Sequence, residues 1–568
     1  MRSKLKQAGW AGIICPPKSG GQTKNRLPTL QGLMLALCGL LMIGMDAMAA
    51  DKKLIETGKK IYREGILGNG QPLQSSVQGG AGLSGAQVAC VQCHRRSGLG
   101  SVEGTSVVLP VTGTALYAPG PAGLWQKFGY DPKGNKTYRE AYTDQTLAKA
   151  IREGITPSGR ELQTLMPRFT LPDGDMKALT AYLKTLQNAP SPGVDDDILH
   201  LATVITPDVP PEQRKALRDV LDAYAKDKNA GLRHEGRRRE TSKEVMYTSF
   251  RGWDVQTWEL QGPPDTWGKQ LDAKFAKQPV FALISGLGNS TWAPVDAFCE
   301  RHEVACLFPN IALPVADTQG YFTVYFSRGL SLEADALGAY ASANPASMGG
   351  PILQVGRDTA LGKTPAEALK KSLDAAGRSD NKSVFVGKGQ ALDAGAWGKL
   401  IEAEHPATLV AWLGKEDLAG LIPHLDKLPS VVLSATLLDD DFPESLTGPN
   451  DKVHIVSTWD DPATRRQRAA RAEMWLKSRQ IALTDPVMQT NSFWTLMMLG
   501  DATKHLAGNF SAAYLVERIE QMTESVAITS LYPRLSLAPG QRYAAKTARL
   551  FKLGPQQTWV PESDWISP

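Results

Sequence analysis

Cys90-Val91-Gln92-Cys93-His94 is the segment of this sequence whose residue types and spacing most directly prescribe chemistry. Two thiols separated by two residues can add across the two vinyl groups of a haem while the histidine that follows reaches the iron. A surface redox pair and half of a zinc site are the competing readings; an exported chain with no second cysteine pair nearby argues against both. Among the remaining cysteines, Cys15 and Cys38 fall in the leader, which leaves Cys299 and Cys306. In an oxidising compartment these two are a candidate disulfide, and a pair of buried apolar thiols is the alternative.

The leader, residues 1–49, carries a basic stretch, an apolar run from Leu33 to Met45, and Ala47-Met48-Ala49 ahead of Ala50. That order predicts a signal peptide cleaved after Ala49 and a periplasmic product. The apolar run is shorter than the roughly 20 residues a membrane helix needs, so no stable span is expected after cleavage. An uncleaved anchor is the alternative. Arg2, Lys4, Lys6, Lys18, Lys24 and Arg26, less Asp46, account for the whole formal net charge of +5. The rest of the chain is formally neutral, which argues against a nucleic-acid partner.

At 568 residues the chain is too long for one ordinary domain. A Pro/Ser/Gly/Asp-rich stretch over residues 188–197 predicts a linker between a small unit, 50–187, and a large one, 198–568. In the small unit, helical periodicity at Leu54 to Arg63 and at Asp173 to Leu186 brackets Gly- and Pro-rich loops suited to wrapping a cofactor. The large unit alternates short apolar runs, such as Leu199 to Ile205, Ile352 to Val355, Leu409 to Leu413 and Val431 to Ser434, with amphipathic ones, such as Glu212 to Ala225 and Pro365 to Ala376. This predicts a multidomain protein: an all-α unit, then an α/β unit built on parallel sheet.

Residues 51–187 resemble class I cytochromes c. Gly58-Lys59-Lys60-Ile61-Tyr62 is similar to that family's first helix, where glycine lets the last helix approach and the aromatic packs across it, here onto Tyr182. The resemblance implies one covalent haem c with His94 as one axial ligand. The second would come from Met166, in Leu165-Met166-Pro167-Arg168-Phe169, while Met176 lies on the packed stripe of the final helix. Pro110 resembles the family's proline whose carbonyl accepts a hydrogen bond from the ligating histidine. With both axial positions filled, the implied role is electron transfer with a redox partner protein and not enzymatic catalysis.

From Ile198 onward the order of elements resembles type I periplasmic solute-binding proteins of the branched-chain amino acid and amide class. Pro279 to Gly288, Ala305 to Asn310 and Tyr325 to Gly329 carry the likeness. In such proteins the ligand lies between two lobes, at strand ends and helix starts. Ser285, Asn289, Ser290 and Thr291 are the implied contacts from one lobe, and Trp412, Ser434 and Trp459 from the other. No clear hydroxyl pair for a carboxylate and no specific acid for an ammonium group align, so the class of small-molecule solute is open. Proteins similar to this domain accompany quinoprotein alcohol dehydrogenase systems, which implies a quinoprotein dehydrogenase as electron donor. A ligand receptor or transport-type binding protein with a redox-reporting haem is the alternative function. Gly286-Leu287-Gly288 lacks the third glycine of a dinucleotide site, and Gly356 to Thr364 is one residue too long for a P-loop.

Overall fold

The computed structural model describes residues 51–568 apart from 77–81, 104–105, 122–137, 188–189, 242–249, 317, 439–445, 447–451, 507, 526–529 and 555–557. The signal peptide expected at 1–49 lies outside the described residues. Two compact units emerge, one of the described residues up to Ala89 with Pro167–Tyr182, the other of those in Cys90–Met166 and Leu183–Pro568.

In the smaller unit the helix over residues 51–64 buries Ile61 and Tyr62 against the helix Asp173–Thr185. The crossing is possible because residue 58 has no side chain: a Cβ there would lie 2.0 Å from the Ala178 carbonyl oxygen. The Tyr62 and Tyr182 rings meet at 5.4 Å and 56°, the aromatic pair expected from the sequence. Gln74–Ser76 is the central strand of a small antiparallel sheet, with Leu83–Ser84 on one side and Arg168–Thr170 on the other.

The larger unit begins with the one-turn helix Val91–His94 and the hairpin Ser101–Glu103 with Ser106–Val108. The helix Gly113–Tyr117 follows, capped by Thr112, whose Oγ1 accepts from the Ala115 amide at 3.2 Å. A further helix, Asp144–Glu153, opens on a reciprocal Thr143/Thr146 capping box and stops at Gly154 in the left-handed region.

Two seven-stranded sheets make up the rest. The first contains β1 (Ile198–Ile205), β2 (Gly252–Glu259), β3 (Ala282–Ile284), β4 (Leu287–Gly288), β5 (Ala305–Leu307), β6 (Asn310–Ile311) and β7 (Thr323–Val324). Its order is β6-β4-β1-β3-β5-β7, with β2 also paired to β1, and every ladder is parallel. The second contains β8 (Ile352–Arg357), β9 (Asn381–Val386), β10 (Thr408–Trp412), β11 (Ser430–Ser434), β12 (Val453–Ser457), β13 (Arg549–Leu553) and β14 (Trp559–Pro561). Its order is β9-β8-β10-β11-β12-β13-β14, parallel as far as β12 and antiparallel beyond. The central strands are buried on both faces, which is why they read as unbroken apolar runs.

Helices Pro211–Thr241 and Pro486–Lys504 pack together, the former also against β2, while Leu330–Ala343 and Ala360–Ala375 pair over the second sheet. Described residues of the expected linker are bound into this unit. The Ser191 amide donates to the Phe510 carbonyl at 2.8 Å, and Gly193, at φ +79°, sits against the backbone of Val280 and Phe281. Among the described residues no helix is long and apolar enough to cross a membrane.

Candidate functional site

The haem motif folds as a single helical turn: the His94 amide donates to the Cys90 carbonyl at 2.9 Å, and Arg95 ends the turn at φ 63°. Cys93 is exposed and Cys90 half-buried, and burial pushes the Cys90 thiol up to about 12. His94 Nδ1 lies 2.9 Å from the carbonyl oxygen of Leu109, so the proton sits on Nδ1 and the Nε2 lone pair is left for a metal. Loss of surrounding water lowers the pKa of the ring, which keeps it neutral as a ligand must be. The expected acceptor, Pro110, is corrected by one residue. The proline acts on its neighbour: it restricts Leu109 to an extended backbone and thereby sets the direction of that carbonyl.

Met166 is half-buried in the loop just before the strand Arg168–Thr170, its amide donating to Gln163 at 3.1 Å. Met176 is buried in the helix Asp173–Thr185. The chain around the motif is tight. A Cβ at Gly100 would lie 2.0 Å from the Val108 carbonyl oxygen, and one at Gly113 would lie 2.8 Å from that of Lys184. Two thiols on one turn, a neutral imidazole with its second nitrogen fixed, and a thioether on a loop are a donor set that fits haem c.

The residues expected to meet a solute divide into two groups. Ser285 follows β3 at φ 48°, fully buried, and its Oγ has no hydrogen-bond partner among the described residues. Asn289 is exposed, Ser290 and Thr291 are half-buried, and Thr291 Oγ1 accepts from the Ala293 amide at 3.2 Å, at the start of the helix Ala293–His302. In the second sheet two expectations need correcting. Trp412 is core, its indole N–H donating to Gln354 at 2.9 Å. Ser434 donates to the buried carboxyl of Glu333, which also accepts from the Thr436 hydroxyl at 2.8 Å. Both side chains satisfy polar partners more than fifty residues upstream, a pairing the local sequence does not reveal. Trp459 packs beneath the Arg465 guanidinium, 5.3 Å from its ring centroid, and edge-on to Tyr532.

Other residues, not singled out by the sequence, join Ser285. The Asn310 amide donates to the Gly286 carbonyl at 2.6 Å, and its side chain reaches Ser492 at 3.2 Å. The Trp292 ring lies against Gly286, where a Cβ would be 2.4 Å away. Asn310 Oδ1 and Trp292 Nε1, like Ser285 Oγ, are buried with no hydrogen-bond partner among the described residues. The signal was present in Asn491 and Ser492: polar side chains buried in the helix Pro486–Lys504 mark a face turned to something other than plain core.

Cys299 and Cys306 are fully buried and close enough to share a hydrogen bond, but they are free thiols in this structure, so the expected bridge is not made here. Packing of the helix Ala293–His302 on β5 is enough to bring them together. Burial raises the pKa of Glu333 to about 7, against the usual value near 4.3. The folded state therefore keeps this proton where the unfolded chain has lost it. Its stabilisation is complete below about pH 4.3 and is lost as pH rises through about 7, a change on the order of 3 kcal/mol. Glu333→Gln is expected to remove that part of the pH dependence in denaturant titrations.

Comparison with known families matches residues 77–187 to cytochrome c and residues 254–553 to the periplasmic binding proteins. No curated protein matches the sequence. Among solved structures, the chain is similar to a possible leucine/isoleucine/valine-binding protein from Rhodopirellula baltica SH 1 at 12% identity and TM-score 0.48, covering 66% of this chain and 97% of that one. A branched chain amino acid ABC transporter protein from Thermus thermophilus with bound valine aligns at 12% identity and TM-score 0.48, over 66% and 98% of the two chains. A solute binding protein from Rhodopseudomonas palustris BisB5 in complex with 3,4-dihydroxy benzoic acid aligns at 12% and 0.49, over 65% and 98%. With more than half of its length matched to one family model, this chain belongs to the periplasmic binding protein family and carries a cytochrome c domain ahead of the matched region.

Proposed function

We propose that this protein is an exported, periplasmic mono-haem electron carrier, not itself an enzyme, whose larger domain binds a small solute or docks a redox partner. The observation behind the reading is the hydrogen bond from His94 to the Leu109 carbonyl, which commits one ring nitrogen and presents the other as a ligand. When bound, the haem supplies a one-electron couple. Cys90 and Cys93 would hold it covalently, the Leu109 carbonyl keeps the His94 proton on Nδ1 so that Nε2 would meet the iron, and Met166 would supply a thioether as the other protein ligand. A quinoprotein dehydrogenase is the donor that the sequence resemblance implies.

Met166→Ala is expected to convert the low-spin spectrum of the purified protein into a high-spin or ligand-exchanging one. An unchanged spectrum would remove Met166 from the iron.

The unpartnered polar atoms of Ser285, Trp292 and Asn310 around Gly286 favour a second reading, a solute receptor whose haem reports redox state. A ligand that binds only the native state must raise its apparent stability. Thermal stabilisation by one class in a panel of alcohols, acids, amides and amino acids would support solute binding. In a receptor the bound solute must also shift the haem potential, because linkage between two sites is reciprocal. A potential indifferent to a stabilising solute favours the simple carrier.

A further inference from the structure

The chain passes from the first sheet to the second along two segments that run side by side. One leaves β7 through residues 325–329 for the helix Leu330–Ala343, which packs over the second sheet; the other, residues 538–548, leads into β13. The Tyr325 amide donates to the Arg542 carbonyl at 2.8 Å, the Ala544 amide to the Tyr325 carbonyl at 3.1 Å and the Ala545 amide to the Phe326 carbonyl at 2.6 Å. The Tyr325 and Tyr543 rings stack at 5.4 Å and 17°.

Tyr321, two residues ahead of β7, joins this crossing to the turn that follows the haem motif. Its carbonyl accepts from Arg542 at 2.7 Å and its amide donates to Glu300 at 2.6 Å. Its hydroxyl lies 3.1 Å from the Ala513 carbonyl and 3.2 Å from Glu517 Oε1. Two guanidinium groups attend its ring: that of Arg542 at 4.9 Å from the centroid, and that of Arg96, two residues past His94, at 4.5 Å. Each has an acid of its own, Glu520 for Arg542 and Glu303, at 3.8 Å, for Arg96. Beside them Ser97, 1% exposed, donates its amide to Glu517 Oε1 at 2.8 Å and its hydroxyl to Oε2 at 2.6 Å; Glu517, 6% exposed, stands on the helix Ala512–Ser525.

From Ser97 the bonds lead back to the histidine. The Leu99 amide donates to Ser97 Oγ at 3.1 Å, the Gly100 amide to the His94 carbonyl at 3.1 Å, and the Val111 amide to the Gly98 carbonyl at 2.7 Å, two residues past the Leu109 carbonyl that meets the imidazole. Arg95, Gly98 and Gly100 all have positive φ, so the turn transmits a displacement more readily than it absorbs one.

We propose that Tyr321 is a positioning residue that ties the haem turn to the crossing between the two sheets, so that a movement of one sheet against the other reaches His94 and a change at the iron reaches the crossing. Closure of a two-lobed domain has to be taken up where the chain passes between lobes. The closure rests on the solute-receptor reading given above, and the effect at the iron on the haem reading; the tie between Tyr321 and the turn rests on neither.

The test is amide hydrogen exchange on the full-length haem-loaded protein, oxidised with ferricyanide or reduced with ascorbate, in two variants. Tyr321→Leu removes the ring and hydroxyl, whereas Tyr321→Phe keeps the ring. Exchange over residues 95–100 is expected to rise roughly tenfold in Tyr321→Leu and less than about twofold in Tyr321→Phe. Unchanged protection of 95–100 in Tyr321→Leu would overturn the tie. Because linkage is reciprocal, the oxidation state of the iron should alter exchange over 542–546 by roughly twofold or more in the unsubstituted protein and in Tyr321→Phe, and not in Tyr321→Leu. A crossing indifferent to oxidation state in the unsubstituted protein, or still sensitive to it in Tyr321→Leu, would overturn the coupling. If Tyr321→Leu does not accumulate, Arg96→Ala takes its place with the same expectations. The absorption spectrum of each sample reports haem attachment and oxidation state separately, so a failed haem reading is visible there, and exchange over 95–100 then still decides the tie.

Discussion

Replacing Cys90 and Cys93 together by serine is expected to abolish haem that survives denaturation, read as loss of haem stain from the protein band on a denaturing gel. Each thiol would form an independent covalent link, so each single substitution should retain stain through the remaining sulfur. His94→Ala should behave differently: the thiols remain, but the imidazole held by Leu109 is gone, and the spectrum should change even where the stain does not. Stain undiminished in the double variant would remove Cys90-Val91-Gln92-Cys93 as the attachment site.

Arg542→Met is expected to destabilise the larger unit by about 3–5 kcal/mol, because it strands a buried carboxylate. Arg542 and Glu520 are 2% and 5% exposed, and the same guanidinium donates to the Tyr321 carbonyl at 2.7 Å. Coulomb attraction and desolvation nearly cancel for the intact pair, whereas removal of one partner leaves only the desolvation. The paired substitution Arg542→Met with Glu520→Leu should therefore recover much of the loss in denaturant melts. If the double variant is as unstable as the sum of the single ones, the two side chains contribute independently and the ion pair is not the cause.

The cytochrome c domain was legible in the sequence because its motif is local: two thiols and an imidazole fall on one helical turn. Gly58 and Tyr62 were legible for a related reason, since matching helix faces show as periodicity. The strands β8, β10 and β11 announced themselves through burial on both faces. β2 did not, because Gly252–Glu259 is mostly half-buried, with only Trp253 and Trp258 fully buried, and mixes polar with apolar residues instead of forming the apolar run that marks the interior strands. The solute-site reading weakened wherever a side chain's partner lay far off in sequence. Ser434 looks like a free hydroxyl at a strand end until Glu333, 101 residues earlier, is folded against it. Pro110 was misplaced by one residue because only the folded backbone shows which carbonyl faces the imidazole.

Ser97 and Glu517 lie 420 residues apart along the chain. A contact of that separation carries a large loop-closure cost and forms late, after nearby elements have folded. If the chain is exported from its N-terminus, as proposed above, Cys90 and Cys93 reach the far side long before the helix Ala512–Ser525 that carries Glu517. The separation would thus set an order of maturation, with the turn after Cys93 left unrestrained until Glu517, near the end of the polypeptide, arrives and docks.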